Sequence, residues 1–325
     1  MPDPASSSVA SLAARNSAGH TRIHLAARYG ELATLPPEAL TAEYLTQKND
    51  AGYTPLHHAA IGGFLNQVPP AVLTAESLLM RSNAGYTVFH TAAAYGHLAQ
   101  CPANLLTPEV FLNANDTGNT LLHEAAENGT IDRIPAEYLT AENLGRRNVS
   151  GETAIHVAAF NGHLDQLPPG LLTASALGET TFAGDTVFHA AAISGHLEQL
   201  PRALLTFVNL AAPSKSGFTA AHAAAETGQL DKIPAERLTS ELLMTRNDNG
   251  DTPLHAAAFE GHLDQVPRAL LTRERLGARN YDGISIASLA VGRGFEAQIP
   301  EDARPKSSGP VSRLLRRLSR TRSPF

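Results

Sequence analysis

Short apolar blocks recur along the chain at a fixed 33-residue period, each framed by the same polar and turn-forming residues. A Gly-x-Thr signal stands at Gly19-His20-Thr21, Gly52-Tyr53-Thr54, Gly85-Tyr86-Thr87, Gly118-Asn119-Thr120 and Gly151-Glu152-Thr153. It continues at Gly184-Asp185-Thr186, Gly217-Phe218-Thr219 and Gly250-Asp251-Thr252, with a weakened copy at Gly283-Ile284-Ser285. There is no insertion or deletion between copies. Self-similarity at such a period marks a repeat architecture of nine units. A small, apolar stretch of about eight residues follows each Thr, as in Thr252-PLHAAAFE, and predicts a short helix. The Thr predicts its N-cap. Pro55 and Pro253 then occupy the first helical position, where a missing N–H costs nothing. A glycine such as Gly261 closes the helix in a left-handed conformation. The paired alanines, as in Ala26-Ala27 and Ala257-Ala258, let a second helix approach closely.

The second half of each unit holds an apolar residue before a proline: Leu35, Val68, Cys101, Ile134, Leu167, Leu200, Ile233, Val266 and Ile299. These predict core. A proline inside a helix costs about 3 kcal/mol. Nine such penalties would exceed the whole stability of a typical domain, roughly 5–15 kcal/mol. The prolines are therefore expected at helix starts, followed by a short helix such as Pro135-AEYL and a Thr-capped turn such as Thr140-AENL.

The run G-x-T-P-L-H-x-A-A-x-x-G-H-L, best kept from Gly250 to Leu263, resembles the ankyrin repeat. The resemblance covers about residues 16–300. It implies an all-α, ankyrin-like α-solenoid of about nine stacked helix–turn–helix repeats, with hairpin loops projecting to one side. It also implies a binding scaffold, since the family has no shared catalytic chemistry. The proline-started second helix departs from the family pattern and puts the curvature in question. Residues 1–15 and the basic stretch 301–325 are expected to lie outside the array as disordered segments. The ninth unit, with Ser288 in place of the histidine, is expected to act as a cap, since a terminal repeat is covered on one side only.

Composition refines this picture in three places. The single cysteine, Cys101, has no intramolecular partner, which favours a reducing, cytoplasmic setting. No stretch approaches the roughly 20 apolar residues of a membrane span, and no standard secretory signal opens the sequence. Net charge is −6, but residues 301–325 hold seven basic and two acidic residues, so the first 300 carry −11. An acidic body argues against nucleic acid as a partner. The basic tail, with Leu314, Leu315 and Leu318, gives an alternative role: an adaptor, or a bacterial effector secreted without a standard signal, localised to membrane or an acidic partner.

Candidate chemistry is thin. One histidine per unit (His24, His57, His90, His123, His156, His189, His222, His255) makes a ladder, not a cluster. Stacked units lie ~10 Å apart, whereas zinc ligands must converge at about 2 Å. The histidines are expected to bond the helix cap and the neighbouring turn. His123-Glu124 starts like a metalloprotease helix, but Glu127 stands where the second ligand would be. No phosphate loop or nucleophile elbow is present, and Cys101 reads as core. No catalysis, cofactor or metal is expected, and the array is expected to be a monomer.

The informative positions are those where the units differ. Sites one, four and five after each histidine point away from the stacking faces in the family. They carry Tyr29, Ile61, Tyr95, Glu124, Glu127, Phe160, Ile193, Glu226, Phe259 and Glu260, with Tyr53, Tyr86 and Phe218 at hairpin tips. Aromatic residues gathered on a concave surface are typical interface anchors. The expected function is a protein–protein scaffold whose partner lies on the concave helix and hairpin face. The alternative is that these side chains only fill gaps between helices.

Overall fold

The structure is a computed structural model that describes residues 11–304. Among these residues there are nine helices of seven or eight residues and no strand, only isolated bridges. The helices are α1 (Arg22–Tyr29), α2 (Pro55–Gly62), α3 (Val88–Ala94), α4 (Leu121–Asn128), α5 (Ala154–Asn161), α6 (Val187–Ser194), α7 (Ala220–Thr227), α8 (Pro253–Glu260) and α9 (Ile286–Arg293). They belong to two compact units, one ending at Leu171 and the other starting at Leu172. In the first, α1 to α5 pack each on the next. In the second, α6 to α9 do the same. This is the ankyrin-like α-solenoid arrangement that the period predicts.

Each helix starts as its sequence dictates. In α2, Thr54 is the N-cap in an extended conformation and Pro55 opens the helix. Gly63 closes it at φ 79°, and a Cβ there would lie 2.7 Å from Nε2 of His97 in the next repeat. Glycine is therefore required twice over, by backbone conformation and by space. The alanine pair after each histidine is buried in all eight histidine-bearing helices, such as Ala59 and Ala60 in α2.

The histidine ladder is built as expected. The backbone N–H of Thr54 donates to His57 Nδ1 at 3.1 Å, and Thr54 Oγ1 lies 2.8 Å from the same nitrogen. Across the repeat boundary, His57 Nε2 lies 3.1 Å from the carbonyl oxygen of Tyr86. A carbonyl only accepts, so Nε2 carries the proton and the ring is the neutral Nε2–H tautomer. The same bridge joins His24 to Tyr53, His90 to Asn119 and His123 to Glu152 in the first compact unit. In the second it joins His189 to Phe218 and His222 to Asp251.

The second half of each repeat refines the expectation. A 3₁₀ turn, such as Leu164–Gln166, leads to the apolar residue and the proline. The proline is the N-cap of the piece that follows, as Pro135 is for Ala136–Tyr138, and that piece is a three-residue 3₁₀ turn. The α-helical turn is the Thr-capped segment, such as Ala141–Leu144. All nine apolar residues before the prolines are buried, from 1% exposed at Ile299 to 8% at Leu35.

Two further ladders hold the repeats together. Gln100 accepts the Leu65 N–H at 2.9 Å and donates to the Gly63 carbonyl at 2.7 Å. Gln166, Gln265 and Gln298 do the same across their own repeat boundaries. Hairpin tips are chained by backbone bonds, as when the Asn83 N–H donates to the Ala51 carbonyl at 3.0 Å. Within most hairpins a short polar side chain folds onto the backbone: Asn49 Oδ1 accepts from the N–H groups of Ala51 and Tyr53.

The ninth helix lacks the ring. Ser285 Oγ and Ser288 Oγ lie 2.7 Å apart, a local pair that does not reach beyond its own cap. Of the expected terminal segments, residues 1–10 and 305–325, including Leu314, Leu315 and Leu318, lie outside the described residues. Leu12 is buried, Arg15 donates to the Lys48 carbonyl at 2.8 Å, and Glu301–Ala303 forms a turn with Ala303 buried. Packed structure therefore runs a few residues past 16–300 at each end.

Burial lowers the pKa of His24, His57, His90 and His222 to about 4, against the raising effect of the carbonyl bond. Unfolding returns each ring to its ordinary 6.5. The unfolded chain thus takes up protons first, and stability is full above pH 6.5 and drains as pH falls toward 4. Each such ring contributes a slope of up to about 1.4 kcal/mol per pH unit in that window. Denaturant titrations from pH 7.5 to 4 are expected to show this loss. His90→Ala is expected to lower stability by about 2–3 kcal/mol at pH 7.5, because it strands buried polar groups on both sides of a repeat boundary.

Candidate partner-binding face

The face that carries the differing residues is assembled from hairpin tips and the solvent-facing side of the first helices. In the first compact unit it forms an open cavity of about 270 Å³. Tyr53 and Tyr86 enter it from two hairpin tips. Ile61 comes from α2, Thr91, Ala94 and Tyr95 come from the α3 repeat, and Glu124, Glu127 and Asn128 come from α4. Six of the residues singled out in the sequence therefore meet at one place: Tyr53, Ile61, Tyr86, Tyr95, Glu124 and Glu127.

The tyrosines are held by the ladder beneath them. The Tyr53 ring stands edge-on to His57, centroids 5.2 Å apart, and Tyr86 packs likewise on His90 at 6.3 Å. Both rings are half-buried, whereas Tyr95 is 48% exposed. Thr91, which follows the ladder histidine of the α3 repeat and is another of the outward positions, and Ala94 also line the cavity.

Glu124 is the unusual member. It is only 3% exposed. Asn115 Nδ2 and Asn119 Nδ2 both donate to its Oε1, at 3.0 and 3.2 Å. Burial raises its pKa to about 7, and the charge of nearby Glu127 adds to the rise, while the amide donors oppose it. Among the described residues no cation pairs with Glu124 or Glu127. The Tyr86 hydroxyl is pushed up to about 12 by burial, with the Glu124 charge next in weight. The amide donors were not legible in advance. Asn115 belongs to the hairpin column of Asn49 and Ser82, but its outward reach to a glutamate depends on what the next helix carries.

The remaining predicted residues stand apart from this cavity. Tyr29 of α1 is 64% exposed and Phe160 of α5 is 51% exposed. In the second compact unit, Ile193 is exposed and Phe218 tilts over His222 at 5.3 Å. Glu226 and Glu260 are partly exposed. Phe259 is partly exposed, with the Arg293 guanidinium 4.2 Å above its ring.

Other chemistry is sparse. Among the described residues no group of three or more His, Cys, Asp or Glu side chains is placed to hold a metal ion. The buried Cys101 thiol is pushed up to about 12 by desolvation, so it stays protonated and inert. His97, His163 and His262, after the glycines, bond carbonyls of the preceding repeat. Among the described residues no helix is long and apolar enough to cross a membrane.

Stacked helix pairs with capped first helices, hairpin tips and a proline-led second half define a helical repeat protein. Comparison with protein families gives the class its name: residues 89–167 match the model of ankyrin repeats in three copies, and residues 249–281 match the ankyrin repeat. No curated protein matches the chain. The matched segments are ankyrin repeats, which generally mediate protein–protein interaction and are generally not enzymes.

Glu124 adds a pH term of opposite sign to the histidines. Its folded pKa of about 7 lies above its ordinary 4.5, so the folded chain holds a proton longer and stability falls as pH rises between those values. Glu124→Gln keeps an acceptor for both asparagines and removes that term. The variant is expected to gain stability over the parent by up to about 1.4 kcal/mol per pH unit across that window. Denaturation curves at pH 5, 6 and 7.5 check this; a pH-independent difference would contradict it.

Proposed function

We propose that the chain is a non-enzymatic protein-interaction scaffold that takes its partner on the helix and hairpin face. The observation that carries this is a division of labour between columns. The repeated polar residues are consumed by internal bonds: Thr and His at the caps, Gln at the repeat boundaries, Asn or Ser in the hairpins. Most of the differing residues are left at the surface, with Glu124 the buried exception, and six of them line one open cavity. Half-exposed aromatics held on rigid elements suit the role of interface anchors, since little conformational freedom is lost when they are covered.

The gap-filling alternative fares less well. Tyr95 and Phe160 each leave about half their surface exposed, so they fill no gap between helices.

The test uses the full chain as bait, as the parent, as the double variant Tyr95→Ala with Phe160→Ala, and as Glu137→Ala. Glu137 is exposed and lies in the turn Ala136–Tyr138, away from the cavity lining. Two anchors at about 1–2 kcal/mol each predict at least a tenfold loss of captured partner for the double variant. Far-UV circular dichroism is expected to be unchanged. Undiminished capture, or a loss of helicity, would place these residues outside the interface and overturn the reading.

A further inference from the structure

This inference rests on the protein-binding reading and names the chemistry of the partner at one point. We propose that the cavity between Tyr53, Tyr86, Tyr95 and Glu124 receives a basic side chain, lysine or arginine, presented by the partner protein.

Glu124 is only 3% exposed, and among the described residues no cation meets it. A buried charge without a counter-charge is costly. Scaffold needs ask here for an acceptor, not a charge: Asn115 and Asn119 both donate to Oε1, the Tyr86 hydroxyl is a third neutral donor to the carboxyl, and a glutamine oxygen would serve the asparagines equally. Nor does the repeat ask for an acid here. The residue following the ladder histidine is Leu25, His58, Thr91, Val157, Ala190, Ala223 or Ala256 in the other histidine-bearing repeats. Glu124 alone carries negative charge at that site, and it does so where the cavity is.

Three tyrosines wall the space. Aromatic faces attract a cation through the ring quadrupole, by about 0.5–2 kcal/mol according to how dry the site is. Ile61 and Ala94 offer apolar surface for an alkyl stem. The cavity volume of about 270 Å³ is several times the roughly 30 Å³ share of one water, so a stem and its head group have room. At the mouth, the exposed Glu127 adds a second negative charge that draws the same ligand inward.

No lysine, arginine or histidine lines the cavity, so an anionic group would meet two carboxylates with nothing to offset them. An uncharged apolar side chain would seal the carboxylate further from water without compensation. A cation, like the proton that burial already favours on Glu124, offsets that charge, and above pH 7 it does so where the proton is lost.

The experiment titrates the full chain at pH 8 with end-blocked peptides Gly-Gly-Lys-Gly-Gly and Gly-Gly-Arg-Gly-Gly, and with an isosteric peptide carrying norleucine. Tyrosine ring signals are followed by NMR. One or both basic peptides are expected to shift Tyr53, Tyr86 and Tyr95 saturably, with norleucine at least tenfold weaker. Glu124→Gln is expected to weaken the basic peptide at least tenfold and leave the circular dichroism unchanged. Tyr95→Ala, an exposed wall residue, is expected to weaken it severalfold and stands in should Glu124→Gln fail to fold. Equal binding of norleucine, an unaffected Glu124→Gln, or no saturable shift with either basic peptide overturns the proposal. So does binding of n-butylammonium as tight as that of the peptides, which would make the ligand a free amine. The two readings fail separately. If the Tyr95→Ala and Phe160→Ala double variant loses its captured protein while Glu124→Gln keeps it, the basic-side-chain proposal falls and the scaffold stands.

Discussion

Everything in this molecule hangs on a histidine held from two sides. Nδ1 takes a hydrogen bond from the N–H of the capping threonine in its own repeat, and Nε2 gives one to a carbonyl 29 residues further on. The first contact fixes the ring against its helix start. The second fixes the next hairpin against that ring. The accepting carbonyl is itself part of a hairpin bond, as when the Asn49 N–H donates to the Tyr53 carbonyl at 2.8 Å. One ring thereby sets the helix cap, the distance between repeats and the closure of the following turn. Because both nitrogens are used in one tautomer, the arrangement works only while the ring is neutral, and burial keeps it so.

The site is a consequence of that economy. A ladder that satisfies its own polar groups leaves the adjoining positions unconstrained by folding. Tyr53 and Tyr86 lean on the ladder rings from outside, and Glu124 follows immediately after a ladder histidine. The scaffold supplies rigid footing, and the residues beside it supply chemistry. Glu124 shows that the two are not wholly separate: its amide donors belong to a hairpin, so the acidic group is steadied by the same turns that carry the tyrosines.

Much of this was legible in the residues. The threonine caps, the left-handed glycines, the buried alanines and the apolar column before proline follow from local rules and a strict period. So did the reading of the histidines as structural, since a ladder has no point of convergence. The second half was harder. Pro135 was rightly read as a start, but three residues after a proline can form a 3₁₀ turn or an α turn, and only tertiary packing decides. The glutamine ladder was missed because Gln100 looks like any surface residue until the Leu65 N–H and Gly63 carbonyl are placed beside it. At the candidate face, the sequence shows the columns in which the repeats differ but not which of those residues meet. Which outward residues converge depends on how successive helices and tips are offset, and the contact of Arg293, a full repeat away, with the Phe259 ring has no signal in the sequence.

The span of 29 residues from ring to carbonyl has a consequence for descent. A substitution beside the ladder leaves the ladder intact, so the outward face is free to drift. The gain or loss of one residue between a histidine and its carbonyl breaks the bridge, and with it the hairpin bonds that follow. The gain or loss of a whole 33-residue module does not, since the modules joined by the histidine–carbonyl bridge present the same two ends. Such a gene can lengthen, shorten and exchange modules, yet it has almost no tolerance for the single-codon slips that reshape ordinary loops. The absence of even one insertion across nine copies is what that rule looks like from outside.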